Sequence, residues 1–126
     1  MRESTRQTIS ANAAPYLDEG ESVRAVVPCF EGPKWAMFFG LIGTMMIKQR
    51  LAVVTDRNVY VMRGSYWSVK RPKGVEERHP LGTVEVAAEK GLPVGPLRVG
   101  QKTYWVGKVY QGDAQQVAAA ASGQAS

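Results

Sequence analysis

The chain has 126 residues, a length typical of one domain with a single modest core. Its 16 lysines and arginines exceed its 11 aspartates and glutamates, and the net charge of +5 is compatible with anionic membranes or nucleic acid as partners. With one cysteine and one histidine, the composition excludes an internal disulfide and a zinc site made of Cys and His. The polar N-terminal residues lack the apolar segment of a secretory signal, so we expect a cytoplasmic protein without cofactor or metal.

The N-terminal segment, residues 1–20, is expected to contain a short helix. Ile9 and Ala13 lie at helical spacing, but Pro15 disfavours helical geometry in the residue before it. We therefore expect a short, broken helix that ends near Asp18.

A strand opens the predicted β domain, which covers residues 21–121. From Val23 onward, alternate positions are apolar, and this pattern is typical of a half-buried strand. Proline is poorly tolerated inside a sheet, so we expect the strand to end at Pro28 or Cys29.

The stretch from Val53 to Met62, with the sequence VVTDRNVYVM, predicts a β-hairpin. Valine, threonine and tyrosine suit a half-buried pleated surface, whereas Asp56 and Asn58 favour a turn by bonding to their own backbone. This hairpin is expected to form the centre of the sheet.

Similar patterns predict the remaining strands and a C-terminal helix. Strands are expected at 66–69, around 75–79, and at 83–88, 97–99 and 102–109. Asp113 is expected to cap a helix that continues to Ala121 and docks on the sheet, and residues 122–126 are expected to form a flexible tail. The total of about seven strands is typical of an all-β sandwich or barrel.

Two of these motifs resemble those of a known family. The strand start Gly20-Glu21-Ser22-Val23 and the hairpin sequence Val54-Thr55-Asp56-Arg57-Asn58 are similar to motifs of bacterial pleckstrin-homology-like domains, of the short actinobacterial or phage type. The resemblance implies a mainly β fold, a sandwich or barrel of about seven antiparallel strands with a C-terminal capping helix. It also implies a non-enzymatic binding module. In eukaryotic relatives, basic residues between the first two strands hold phosphoinositides, whereas here that position holds an apolar run.

The apolar run extends from Trp35 to Ile47. As a helix it would measure about 20 Å, short of the roughly 30 Å of a bilayer core. The run fits three interpretations: a buried strand or hairpin, a partner-binding surface, or a segment lying in a membrane interface. We expect it to contact a protein partner or the inner membrane face. The residues of this expected contact are Trp35, Phe38, Phe39, Leu41 and Ile42 as anchors, flanked by Lys34, Lys48 and Arg50.

A second candidate site is a basic segment around Tyr66 and Trp67, where cations and aromatic rings together could hold phosphates. It supports an alternative function in nucleic-acid binding or regulation, while a solvated hairpin with Trp67 packed inward is the plainer interpretation. A third alternative makes the apolar run the interface of a homo-oligomer. The cations of the basic segment are Arg63, Lys70, Arg71, Lys73 and Arg78.

The sequence offers little for catalysis. The stretch 95–103 differs from a phosphate-binding loop in its spacing, and Pro96 removes a backbone donor. Cys29 and His79 lack a third group that would complete a nucleophilic site. We therefore expect no catalytic, cofactor-binding or metal-binding residues.

Overall fold

The structure, a computed structural model, describes residues 1–32, 47–64, 72–92 and 94–122. Within these ranges the chain forms two α-helices and seven β-strands. The helices are α1, Glu3–Ala13, and α2, Gln111–Ala121, with short 3-10 turns at Ala14–Tyr16 and Lys108–Tyr110. The strands are β1, Val23–Glu31; β2, Lys48–Thr55; β3, Asn58–Arg63; β4, Gly74–Pro80; β5, Val86–Ala88; β6, Val94–Val99; and β7, Lys102–Gly107.

The strands form one antiparallel sheet in the order β4-β3-β2-β1-β7-β6-β5. No ladder joins β4 to β5 within the described ranges, so the sheet is open at that point. The expected fold class, mainly β with about seven antiparallel strands and a helix at each terminus, is confirmed. The arrangement matches the pleckstrin-homology-like sandwich that the resemblance implies.

Several element boundaries differ from those predicted. β1 continues through Pro28 to Glu31, because its last residues pair with the first residues of β2. The strand expected at 83–88 is shortened to β5, and the last strand ends at Gly107, where the chain turns toward α2. The strand predicted at 66–69 and most of the predicted tail, residues 123–126, lie outside the described residues.

The start of α2 is set by tertiary contacts. The helix begins at Gln111, and no side chain caps it, so the predicted capping role of Asp113 is wrong. The Asp113 carboxylate instead accepts a hydrogen bond of 3.1 Å from the Met1 amino group. The Gln111 side chain accepts from the Gly91 N–H at 3.1 Å and donates to the Gly91 carbonyl at 2.6 Å, which joins the helix start to the chain before β6.

Two hydrophobic clusters lie on opposite faces of β1, β2 and β3. In the inner cluster, α2 covers the sheet, and Val27, Tyr104 and Val117 are fully buried. In the outer cluster, α1 packs on the other face and places Ile9 against residues such as Leu51. The three strands are therefore enclosed between two helices, which accounts for their nearly continuous runs of buried residues.

Glu21 joins the turn before β1 to the β2–β3 hairpin. Its carboxylate accepts hydrogen bonds from the Thr55 hydroxyl, from the Asn58 amide at 2.9 Å, from the Tyr60 hydroxyl at 2.7 Å and from the Asp18 N–H at 2.9 Å. Burial acts to raise the pKa of Glu21, but these bonds outweigh it and lower the pKa to about 2. The carboxylate is thus held ionised.

The turn of this hairpin is closed by Thr55. Its hydroxyl oxygen accepts the N–H groups of Arg57 at 3.1 Å and Asn58 at 2.9 Å. Asp56 faces Ser22, because its N–H donates to the Ser22 carbonyl at 3.0 Å and its carboxylate accepts the Ser22 N–H at 2.9 Å. The hairpin prediction is confirmed, but the expected local bonding of Asp56 and Asn58 is wrong, since both side chains reach the segment before β1.

The Glu21 contacts predict a pH-dependent contribution to stability. Glu21→Gln should lower the free energy of unfolding at neutral pH by about 1–3 kcal/mol, because hydrogen bonds to a charged acceptor are lost. With a folded pKa of about 2 against 4.5 ordinarily, the carboxylate's contribution is complete above 4.5 and is lost as the pH falls through 2. Denaturant unfolding across this range should show the difference between wild type and variant shrinking as the pH falls. A constant difference would contradict the assignment.

The outer cluster predicts that α1 is an integral part of the fold. Ile9 is fully buried, so Ile9→Ala should cost about 2–5 kcal/mol in unfolding free energy. Gln7→Ala, at an exposed position of the same helix, is the matched control and should change stability little. Equal, small effects in thermal and urea unfolding would mean that α1 does not pack on the sheet.

Candidate functional site

Three connections lie at one end of the sheet, here called the loop end. The β1–β2 connection leaves from Glu31 and returns at Lys48, which pair with each other. The β3–β4 connection leaves beyond Arg63 and returns at Gly74, also a pair. Because β7 runs antiparallel to β1 with Trp105 opposite Phe30, the β6–β7 turn at 100–101 lies at the same end.

The apolar run and the part of the basic segment from Arg63 to Lys73, which the sequence suggested as separate sites, both begin and end here. Gly64, after β3, donates its N–H to the Gln49 carbonyl at 2.9 Å, and the Lys73 N–H donates to the Arg63 carbonyl at 2.7 Å. The strand ends that flank the apolar run therefore adjoin those that flank the basic segment. Some of the candidate residues lie outside the described ranges, namely Lys34, Trp35, Phe38, Phe39, Leu41, Ile42, Lys70 and Arg71.

Lys48, Arg63 and Lys73 are the predicted cations that the structure leaves exposed at this end. Within the described ranges none of them is paired with a carboxylate. The Arg63 side chain extends beside Gly74, where a Cβ would lie 2.8 Å from its Nη2. The three charges face solvent and can act on an anionic surface.

Arg50 differs from these cations because it is buried, with 7% of its surface exposed. Its Nη2 lies 3.5 Å from the Glu31 carboxylate, its Nε lies against the Glu76 carboxylate, and Nη1 donates to the Gln49 carbonyl at 2.9 Å. The two carboxylates neutralise the guanidinium in place. Arg50 is therefore not an exposed flanking cation, and the earlier expectation is corrected.

Arg78 is also separated from the basic segment. It lies farther along β4, where it pairs with Asp18 and sits over the Tyr60 ring at 5.8 Å from the centroid. The register places Arg78 beside Tyr60, on the face that α1 covers. The structure therefore does not bring Arg78 together with Arg63 and Lys73.

Glu77 connects the two halves of the open sheet. Its carboxylate accepts the Tyr104 hydroxyl of β7 at 2.7 Å and lies 3.5 Å from the Lys102 ammonium and 3.1 Å from Nε2 of His79. Burial acts to raise the pKa of Glu77, but these neighbours lower it overall. Burial and the same carboxylate raise the pKa of Tyr104. An ionised acceptor and a neutral phenol are suited to a structural hydrogen bond rather than to proton transfer near neutral pH.

An apolar slot opens on the outer side of the junction between β1 and β7. These two strands are joined by the pair Phe30–Trp105. If the ladder continued, Pro28 would lie opposite Gly107, but Pro28 has no N–H to donate to a ladder. The resulting slot measures about 200 Å³ and is here called the side slot. Its lining residues include Pro28, Phe30, Gln49, Trp105, Gly107, Val109 and Tyr110. Sequence reasoning missed it, because its lining residues come from strands that are distant in the sequence, and this leaves no local pattern.

No protein-family model matches the chain, and no curated protein matches it. Among the described residues, no helix is long and apolar enough to cross a membrane. The same part of the chain holds no group of three or more His, Cys, Asp or Glu side chains placed to bind a metal.

The two residues considered for nucleophilic chemistry do not meet. Cys29 is buried on the inner face beside Arg50, whereas the His79 ring contacts Glu77. Burial raises the pKa of the Cys29 thiol to about 12, although the Arg50 charge opposes this. A thiol of this kind is a poor nucleophile.

Burial of Cys29 predicts slow modification by a thiol reagent. Native protein treated with a disulfide reagent at about pH 8, near the ordinary thiol pKa, should react far more slowly than unfolded protein. Cys29→Ala with Gly112→Cys places a thiol on an exposed helical position and should react at the unfolded rate, as a control. Rapid labelling of native wild type would show that Cys29 is accessible.

Proposed function

We propose that the protein is a non-enzymatic, pleckstrin-homology-like binding module that docks on the inner face of the membrane with its loop end. The observation that carries the proposal is the convergence of strand ends at that end. The apolar run and the part of the basic segment from Arg63 to Lys73 both begin and end there, so a single surface would present them to one target. The contact would use Trp35, Phe38, Phe39, Leu41 and Ile42 as apolar anchors.

Charge supports an anionic target. Lys48, Arg63 and Lys73 have no carboxylate partner in the described ranges, while the nearby Glu31 and Glu76 are already paired with Arg50. A cation near an anionic bilayer surface contributes about 1 kcal/mol. Together with partial insertion of apolar side chains, this suits a peripheral, reversible association from the cytoplasmic side.

The chemistry of the interior favours binding over catalysis. The Cys29 thiol is buried, and the ionisable groups in the sheet interior, Arg50 and Glu77 among them, are engaged in ion pairs and hydrogen bonds that join strands. These groups contribute to holding the sheet together.

The proposal predicts binding to anionic vesicles through the loop end. Purified protein should sediment with vesicles of phosphatidylglycerol and phosphatidylcholine, but not with phosphatidylcholine alone, and binding should weaken with salt. Reversing three charges, with Lys48→Glu, Arg63→Glu and Lys73→Glu, should abolish the sedimentation. Phe38→Ser with Phe39→Ser should weaken it without changing the salt dependence.

A matched variant controls for net charge. Arg24→Glu, Lys90→Glu and Lys108→Glu make the same charge change at exposed positions on the opposite end of the sheet. This variant should still bind vesicles. Equal loss in both variants would mean non-specific attraction. Salt-sensitive binding to nucleic acid without vesicle binding would favour the nucleic-acid alternative, and dissociation of an oligomer by the Phe38 and Phe39 changes would favour a homo-oligomer interface.

A further inference from the structure

The side slot is continuous with a second groove along α1. That groove, about 470 Å³ and more open, is lined by Met1, Arg2 and Thr5 and shares Val109 and Tyr110 with the slot. The two together form one surface beside the start of α1. The slot adjoins the loop end through Phe30 and Gln49, but none of the described residues of the proposed membrane contact lines either groove.

Gly107 keeps the slot open. Its backbone angles, φ −63° and ψ 154°, are accessible to any residue, and a Cβ there would meet no atom within 4 Å. Neither backbone conformation nor crowding therefore requires glycine at this position. The volume of about 200 Å³ is below the roughly 300–1,000 Å³ of pockets for whole small molecules, so it suits one apolar side chain.

The residues around the slot have the composition of a protein-binding surface. Trp105, Tyr110 and Arg2 are of the types that dominate binding hot spots, and Val109 is 78% exposed although apolar. Arg2 has no ion pair within the described ranges, so the α1 end of the surface is positive.

Polar groups along the surface favour a peptide over an alkyl chain. The side chains of Thr5, Gln49 and Tyr110 line the two grooves, and none of them makes a hydrogen bond within the described ranges. A peptide offers backbone N–H and C=O groups to such side chains, whereas an alkyl chain would leave them unsatisfied.

We propose that this surface binds a short segment of a protein partner that combines one large apolar side chain with a nearby carboxylate. The apolar side chain fills the side slot above Gly107, and the carboxylate pairs with Arg2. The protein would then join a membrane surface at its loop end to a partner at its side.

The test is selection from a displayed library of random short peptides against the full chain, followed by titration of the most enriched synthetic peptide. Enriched peptides should contain an apolar residue close to Asp or Glu. Gly107→Leu should weaken binding at least about tenfold by filling the slot, and Arg2→Glu should weaken it and remove its salt dependence.

Gly112→Leu is the matched control, because it adds the same side chain at another glycine where a Cβ meets nothing within 4 Å, on the exposed side of α2. It should bind the peptide as wild type does, and circular dichroism should show all variants folded. The variant with Lys48, Arg63 and Lys73 reversed should also bind it, so failure of the membrane proposal leaves this one standing.

Two outcomes would overturn the proposal. Either no apolar and acidic sequence is enriched, or Gly107→Leu binds the enriched peptide as tightly as Gly112→Leu does. Decanoate, a simple alkyl carboxylate, is tested separately by NMR. If it shifts the Gly107 amide resonance and no peptide binds, the slot is assigned to alkyl carboxylates instead.

Discussion

The fold depends on the carboxylate of Glu21. Four donors converge on it, from the turn before β1, from the hairpin end and from β3, so one ionised group fixes where the N-terminal segment meets the central hairpin. A carboxylate is suited to this position because it offers acceptors to several donors at once. Asp56 and Ser22 exchange two hydrogen bonds beside it. Gly20, with a φ of 80°, supplies the left-handed turn that brings Glu21 into place.

This junction also determines which surfaces are covered. Once the N-terminal segment is attached to the hairpin, α1 lies across the outer face of β1, β2 and β3, while α2 fills the inner face. α1 does not extend over the β1–β7 junction, where Pro28 prevents a full ladder and Gly107 contributes no side chain. The side slot is thus a consequence of how far the outer helix reaches and of a local break in strand pairing.

Charge is distributed differently at the loop end and in the interior. Inside, Arg50 and Glu77 are surrounded by opposite charges or hydrogen-bond donors. Arg50 joins β2 to Glu31 of β1 and Glu76 of β4, and Glu77 joins β4 to β7, two strands that are not neighbours in the sheet. Outside, Lys48, Arg63 and Lys73 remain exposed without such partners in the described ranges. An isolated buried cation would be costly, so the buried arginine has two carboxylates, whereas surface cations are hydrated and remain available for a partner.

The sequence by itself determined the fold class, the central hairpin and both terminal helices, because alternation, turn residues and helix propensity are local properties. It also located the two motifs, at Gly20 and at Val54, that the structure joins through Glu21. Only the tertiary structure decided that Arg50 is buried, that Asp113 contacts Met1 instead of capping α2, and that Pro28 and Gly107 line the same slot. Each of these depends on which distant strands and helices become neighbours, and a linear pattern does not encode that pairing.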